Sequence, residues 1–208
     1  PIALNEAGLT GYTFVSLTGS AKCPQVLNGT VTLNEGENVT CTIANDDVAP
    51  TITLNKVVIN NNGGNAGVND FGLTIGGTAV TSGQTLAVNS NTPVALNEAG
   101  LTGYTFVSLT GSAKCPAVLG GTATLNEGEH ITCTITNDDV APTITLNKVV
   151  INNNGGTAGV NAFGLTIGGT PVNSGQTIAV AANTPVALNE AGLFGYSFVS
   201  PTGTANRP

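Results

Sequence analysis

Apolar and polar residues alternate along this chain in short runs. Ile52, Leu54, Lys56 and Val58 interleave with Thr51, Thr53 and Asn55, the period of two that marks a half-buried strand. Asn60-Asn-Asn-Gly-Gly64 breaks the pattern as a loop, and Phe71, Leu73 and Ile75 resume it up to Gly76-Gly77, a hairpin signal. Past a Ser82-Gly83 turn, Leu86 and Val88 make one short strand, and Val94, Leu96 and Glu98 another. Tyr104 and Phe106 point one way, with Val107 and Leu109 on the other side; Ala123 with Leu125 follows, and then Cys133, Ile135 and Asn137. No stretch keeps the helical period. Six or more short strands at turn-marked spacing within about 90 residues predict an all-β antiparallel β-sandwich.

The pattern repeats. Ala3-Leu-Asn-Glu-Ala-Gly-Leu9 returns at Ala95 and at Ala187, a spacing of 92 residues each time. That is too long for a solenoid unit and suits a small globular domain, so the chain reads as tandem domains: the back of one repeat (1–48), a complete repeat (49–140) and the front of a third (141–208). Residues 41–58 recur as 133–150, each copy holding a last strand, a short acidic joint marked by proline, and the first strand of the next repeat. The two end pieces lack a full set of strands and would expose unpaired edges and core. The expectation is completion, either by residues outside this sequence or by strands from a neighbouring copy. Because residues 187–204 repeat residues 3–20, complementation would duplicate a strand; that favours an excerpt of a longer array, and Pro1 reads as an internal start.

Composition narrows the setting. The chain carries a net charge of −7 with only 5 Lys and Arg, so nothing in it neutralises phosphates, and neither nucleic acid nor anionic lipid is an expected partner. With 40% hydrophobic and 8% charged residues it should fold, beneath a surface of Thr, Asn, Ser and Gly. No apolar run is long enough to insert in a membrane. Cys23 and Cys41 lie 18 residues apart, as do Cys115 and Cys133, with no CxxC pair and a single His in the chain. One pair per repeat favours an intradomain disulfide over a zinc site, and an oxidising, extracellular setting. The third repeat has Arg207 where the others have their first Cys, and so lacks this staple.

Parity exposes an anomaly. Lys56 shares a face with Ile52, Leu54 and Val58, Glu98 with Val94 and Leu96, and Asn137 with Cys133 and Ile135. Three polar side chains from three strands thus point at the core, where an unpaired charge is neutralised or finds a partner. They could sit at strand ends, with Lys56 snorkelling outward. They could form a buried non-covalent cluster that specifies register. Or they could react: a desolvated lysine loses its proton, and a neighbouring carboxylic acid shuttles protons while the amine displaces the side-chain nitrogen of asparagine.

The series Thr53-Leu-Asn-Lys56, Leu96-Asn-Glu-Ala-Gly-Leu-Thr-Gly-Tyr104 and Cys133-Thr-Ile-Thr-Asn137 resembles the prealbumin-like, Cna-B-type (SpaA-like) domains of bacterial surface proteins and pilins. The resemblance covers the whole 92-residue unit. It implies an Ig-like or prealbumin-like sandwich and a spontaneous isopeptide bond, with Lys56 as nucleophile, Glu98 as proton shuttle and Asn137 as electrophile. Lys148 and Glu190 hold the equivalent places in the third repeat, Glu6 and Asn45 in the first; between complementing copies, Lys148 of one would meet Asn45 of the next. The chain has Leu101-Thr102 where this family usually places a proline before Gly-Tyr, and the cysteine pair is not a usual feature of it.

Remaining candidates are weaker. Asp46-Asp47 and Asp138-Asp139 fall at the joints, where calcium could stiffen an array, although two adjacent carboxylates are few and solvated turn acids are commoner. No other cofactor is expected. Asn28-Gly-Thr30 and Asn38-Val-Thr40 match the glycosylation pattern, but the next repeat has Gly120 and His130 there. His130 takes the outward parity, and Glu35, Glu37, Glu127 and Glu129 read as turn-flanking surface acids. With no repeated nucleophile–base set, no enzymatic action on an external substrate is expected. The sequence points to a structural protein of the cell surface, a stalk or fibre subunit partnered by neighbouring repeats or copies of itself. An adhesin module binding through its 60–70 or Gly-Leu-Thr-Gly loops is the alternative.

Overall fold

The computed structural model describes residues 1–200. In chain order its strands are β1 (Ile2–Ala3), β2 (Tyr12–Gly19), β3 (Thr30–Val31), β4 (Cys41–Asp47), β5 (Thr51–Ile59), β6 (Leu73–Ile75), β7 (Thr78–Val80), β8 (Gln84–Ala87), β9 (Val94–Glu98), β10 (Tyr104–Gly111), β11 (Thr122–Ala123), β12 (His130–Asp139), β13 (Thr143–Thr145), β14 (Leu165–Ile167), β15 (Thr170–Val172), β16 (Thr177–Ala179) and β17 (Leu188–Glu190). Single 3₁₀ turns at Val68–Asp70 and Val160–Ala162 are the helical elements among the described residues. The chain forms two compact units. One holds Pro1–Ile59 and Ala66–Asp138; the other holds Asn60–Asn65 and the chain from Asp139 onward.

In the first unit the complete repeat is a sandwich of two four-stranded sheets, β10-β12-β5-β8 and β11-β9-β6-β7. The alternation seen in the sequence supplies its core: Ile52 and Leu54 from β5, Leu73 and Ile75 from β6, Leu96 from β9 and Ile135 from β12 are all essentially inaccessible. The Thr and Asn residues between them face outward; Thr53 and Thr85, for example, pair their hydroxyls across β5 and β8 at 2.7 Å. β5 pairs antiparallel with β8, and β9 with β6 and β11, but one pairing of the repeat is parallel. β5 and β12, the first and last strands of the repeat, run parallel from Thr51 opposite His130 to Ile59 opposite Asp138. Hydrophobic alternation carries no information on strand direction, so the sequence did not separate this pair from the rest.

One expectation is corrected. Leu109 lies in the core with Phe106 rather than opposite it, and Val107 is exposed. The cause is a β-bulge. In the equivalent β2–β4 pair the register runs Gly19 to Cys41 through Ser16 to Ala44, then skips Val15 and resumes with Phe14 opposite Asn45. The extra residue reverses the facing of everything beyond it; Val15 is exposed and Leu17 buried, as Val107 and Leu109 are in β10. The remaining strands of the first repeat form two-stranded pairs, β1 with β3 and β2 with β4.

In the second unit, β15-β14-β17 and β13-β16 enclose a small core of Leu165, Ile167 and Val172. β13 covers three residues where β5 covers nine. The additional length of β5 lies along β12, a parallel partner that β13 does not have among the described residues.

Both cysteine pairs are disulfides, Cys23–Cys41 and Cys115–Cys133, each with Cα atoms 5.7 Å apart. Each ties the turn after one strand to the start of the strand paired with it. Gly111, at the end of β10, has φ +143°, and a Cβ there would strike the carbonyl of Thr132, so close approach at this end of the hairpin requires glycine. Reducing a bridge should lower stability by about 2–4 kcal/mol, read as a lower denaturant midpoint with a steeper slope as the unfolded chain loses its cross-link. An unchanged midpoint would show that the bridges do not stabilise the fold.

Candidate functional site

Lys56, Glu98 and Asn137 come together. Each is positioned by the parity of its strand: Lys56 continues the inward row of Ile52 and Leu54 on β5, Glu98 that of Val94 and Leu96 on β9, and Asn137 that of Cys133 and Ile135 on β12. Parallel pairing sets Lys56 opposite Ile135 and Val58 opposite Asn137, which brings the lysine and asparagine onto the same inner face. Relative exposures are 5% for Lys56, 8% for Glu98 and 2% for Asn137, so these are interior side chains, not snorkelling ones. Lys56 Nζ donates to Asn137 Oδ1 at 2.6 Å and lies 2.9 Å from Glu98 Oε2. The glutamate contact is one of charge more than of hydrogen-bond angle, and Glu98 Oε1 has no hydrogen-bond partner among the described residues.

Around the amine the surroundings are aromatic. Its nitrogen sits 4.1 Å from the centroid of the buried Phe71 ring, which meets Tyr104 edge-on with centroids 5.5 Å apart. Tyr104 Oη accepts the backbone N–H of Ala66 at 2.9 Å, and Ser82 Oγ accepts that of Lys56 at 2.8 Å. The resulting field on Lys56 has opposed parts. Desolvation favours the neutral amine and is the largest influence; the adjoining Glu98 carboxylate favours the ammonium; the net effect lowers the lysine pKa below its ordinary value. Sequence parity pointed the three polar side chains inward. It gave no signal for Phe71, Tyr104 or Ser82, whose roles depend on how loops fold back.

The other repeats hold parts of the same set. Lys148 Nζ pairs with Glu190 Oε2 at 2.7 Å and lies 4.2 Å from the Phe163 centroid, with Phe163 edge-on to Tyr196. Those two charged side chains are 16% and 20% exposed, against 0% and 1% for Lys56 and Glu98. The counterpart of Asn137 for Lys148 would lie beyond position 208. In the first repeat Glu6 is half-buried and Asn45 is exposed on β4. The structure does not bring Glu6 and Asn45 to a lysine among the described residues.

The acidic joints differ. Asp46 and Asp47 are exposed, whereas Asp139 is 5% exposed and surrounded by donors. Within the second unit its carboxylate accepts the backbone N–H of Asn62 at 3.0 Å to each oxygen and that of Gly64 at 2.6 Å, and the Asn62 side-chain amide donates to the Asp139 carbonyl at 2.8 Å. The same loop accepts from Ala182 N at Asn62 O, 2.7 Å, and from Asn183 Nδ2 at Gly63 O, 2.9 Å. Burial pushes the Asp139 pKa up, but the N–H groups of Gly64, Asn62 and Asn61 outweigh it and the net shift is downward. A carboxylate enclosed by N–H donors is an acceptor in a backbone nest. Among the described residues no group of three or more His, Cys, Asp or Glu is placed to hold a metal ion. Asp138 is half-buried. His130 is exposed, with Nδ1 2.7 Å from Thr51 Oγ1; Glu37 and Glu129 pair with Lys22 and Lys114, and Glu127 accepts from Asn91 at 2.9 Å. Arg207 lies outside the described residues.

A repeated sandwich that buries a lysine, a glutamate and an asparagine between disulfide-stapled strands defines a structural repeat module. The family model of the SpaA-type prealbumin-like fold domain matches residues 47–135 and again 139–204, more than half of the chain. The protein belongs to this family, whose domains are modules of pilins and surface proteins and are generally structural rather than enzymatic. No curated protein and no solved structure matches the chain.

Asp139 gives a test by pH. Its folded pKa is depressed, so its contribution is present above the ordinary aspartate value and lost as pH falls through the folded one. Acidification through the folded pKa, or Asp139→Asn at neutral pH, should lower the protection factor of the Gly64 amide, its exchange rate being compared with the intrinsic rate at the same pH; protection unaffected by both would remove the nest from the account of this loop.

Proposed function

We propose that the chain is a load-bearing segment of an extracellular stalk or fibre, in which each complete repeat is locked twice: by its disulfide and by an amide bond formed autocatalytically between Lys56 and Asn137. The observation that carries this reading is the amine of Lys56 held 2.6 Å from Asn137 Oδ1 and 2.9 Å from Glu98 Oε2, in a site closed to water. Proximity of this kind replaces a bimolecular encounter with an oriented one. The ammonium passes a proton to Glu98; the neutral amine attacks the Asn137 side-chain carbonyl carbon; Glu98 returns that proton to the departing nitrogen and takes up the second proton of the attacking nitrogen as the amide forms. One C–N bond forms, one breaks, and ammonia leaves, with no cofactor or external substrate.

Several features support a spacer over a ligand-binding module. The 60–65 loop, which an adhesin would present, spends its polar groups on Asp139, Ala182 and Asn183. The disulfides suit an oxidising compartment. The partners of this reading are neighbouring repeats or other copies of the chain, and the Lys148–Glu190 pair is the half-site that would receive an asparagine strand, such as that of Asn45, from another copy.

Intact mass decides the chemistry. The oxidised chain should weigh one ammonia less than its sequence with both disulfides formed, fragment as a joined Lys56–Asn137 peptide pair, and keep the ammonia in Lys56→Ala. An oxidised chain short only of its cysteine hydrogens would sink the covalent reading.

The reaction should also quicken as pH rises, because only the neutral amine attacks, and level off below the ordinary lysine range. A rate independent of pH through that interval would show that amine deprotonation does not limit it.

A further inference from the structure

β12 carries both staples on one row. Cys133, Ile135 and Asn137 are consecutive inward residues, with exposures of 0%, 0% and 2%, so the strand that holds the asparagine is also the strand that holds the disulfide. The apolar pattern alone fixes only part of its register. A slip of one residue would turn Ile131, Cys133 and Ile135 to solvent and is forbidden by burial. A slip of two residues preserves the facing of every side chain of the strand and moves Asn137 by about 7 Å along it. Alternation does not exclude that alternative; a bond from Cys133 to Cys115 does.

The first repeat is an internal control. β4 pairs only with β2 among the described residues, with no parallel partner beside it, yet it holds its register from Gly19 opposite Cys41 to Tyr12 opposite Asp47, across the bulge at Val15. Its bridge, Cys23–Cys41, lies at one end of that ladder. The order of events follows from loop length. The cysteines are 18 residues apart and the reacting pair 81 apart, so the shorter ring closes at lower entropic cost, before the non-local parallel pairing of β5 with β12.

Resting on the covalent reading above, we propose that Cys115 and Cys133 are positioning residues for the amide bond: their oxidation fixes the register of β12, and the Lys56–Asn137 reaction follows it. In the first step two thiols give two electrons and two protons to a small-molecule or dithiol-enzyme disulfide, which leaves as two thiols. In the second, the amine displaces ammonia as above. A reduced chain therefore remains largely unlocked, and exposure to an oxidising compartment starts both staples in sequence.

The test uses the full chain made by cell-free synthesis in reductant, then split. One half stays reduced and the other receives glutathione disulfide. Intact mass followed over time should show the loss of hydrogens at the cysteines first and of ammonia second, with ammonia loss in the reduced half slower by about a hundredfold, as expected for a displaced reacting group. Equal rates of ammonia loss in the two halves would overturn the proposal. Asn137→Ala, which keeps the Lys56–Glu98 pair but cannot form the amide, isolates the register: reduction should lower hydrogen-exchange protection of the Ile135 and Asp138 amides by about tenfold, and unchanged protection would overturn it as well. If the oxidised wild type never loses ammonia, the covalent reading fails, and this second measurement decides the register role without it.

Discussion

An ammonium group cannot remain alone in an apolar interior, and the complete repeat is arranged around that constraint. Lys56 enters the core because the alternation of β5 gives it no other direction. Once there it needs an acceptor and a counter-charge, and both must arrive from strands distant in sequence: Glu98 from the facing sheet and Asn137 from the parallel neighbour. A buried ion pair of this sort is weak evidence of stability, since its desolvation cost rivals its attraction. What it does impose is uniqueness. Other registers of β5 or β9 leave a charge without its partner, so the ion pair selects how those two strands face each other; a slip of β12 leaves the pair intact and displaces only the neutral Asn137.

Much of this was legible in the sequence because it depends on period two. Parity placed Lys56, Glu98 and Asn137 inward, and spacing paired the cysteines. Legibility stopped where geometry ceased to be local. The direction of β12 relative to β5 leaves no trace in alternation, so one parallel pair stood hidden among antiparallel ones. The bulge at Val15 and its counterpart by Val107 reverse facing without a glycine to announce them, and Leu109 was therefore assigned to the wrong side. The acids at the joints looked alike in sequence. Only the fold separates Asp47, exposed, from Asp139, enclosed by the N–H groups of a loop more than seventy residues earlier.

The near-identity of the repeats makes the chain its own comparison. Lys148 and Glu190 show the pair without the asparagine strand, and both side chains are then partly open to water. Lys56 and Glu98 show it with that strand in place and closed. Desolvation of the amine is thus contributed largely by β12, the same strand that carries Asn137. On the proposed covalent reading, arrival of the asparagine and activation of the amine would be one event, and the register of that strand would matter more than any single contact in the site.

The parallel pairing of β5 and β12 also governs how the domain answers tension. The repeat enters at Thr51, at one end of the seam, and β12 leaves past Asp138 at the other, with nine residue pairs between. Pulling the two ends apart would therefore slide these strands past each other in shear, loading their hydrogen bonds together, whereas an antiparallel pair pulled from adjacent ends unzips one rung at a time. A bond between Lys56 and Asn137 would lie within that shear path and divert extension away from the eighty residues it brackets. The direction of one strand would set whether the domain stretches or holds.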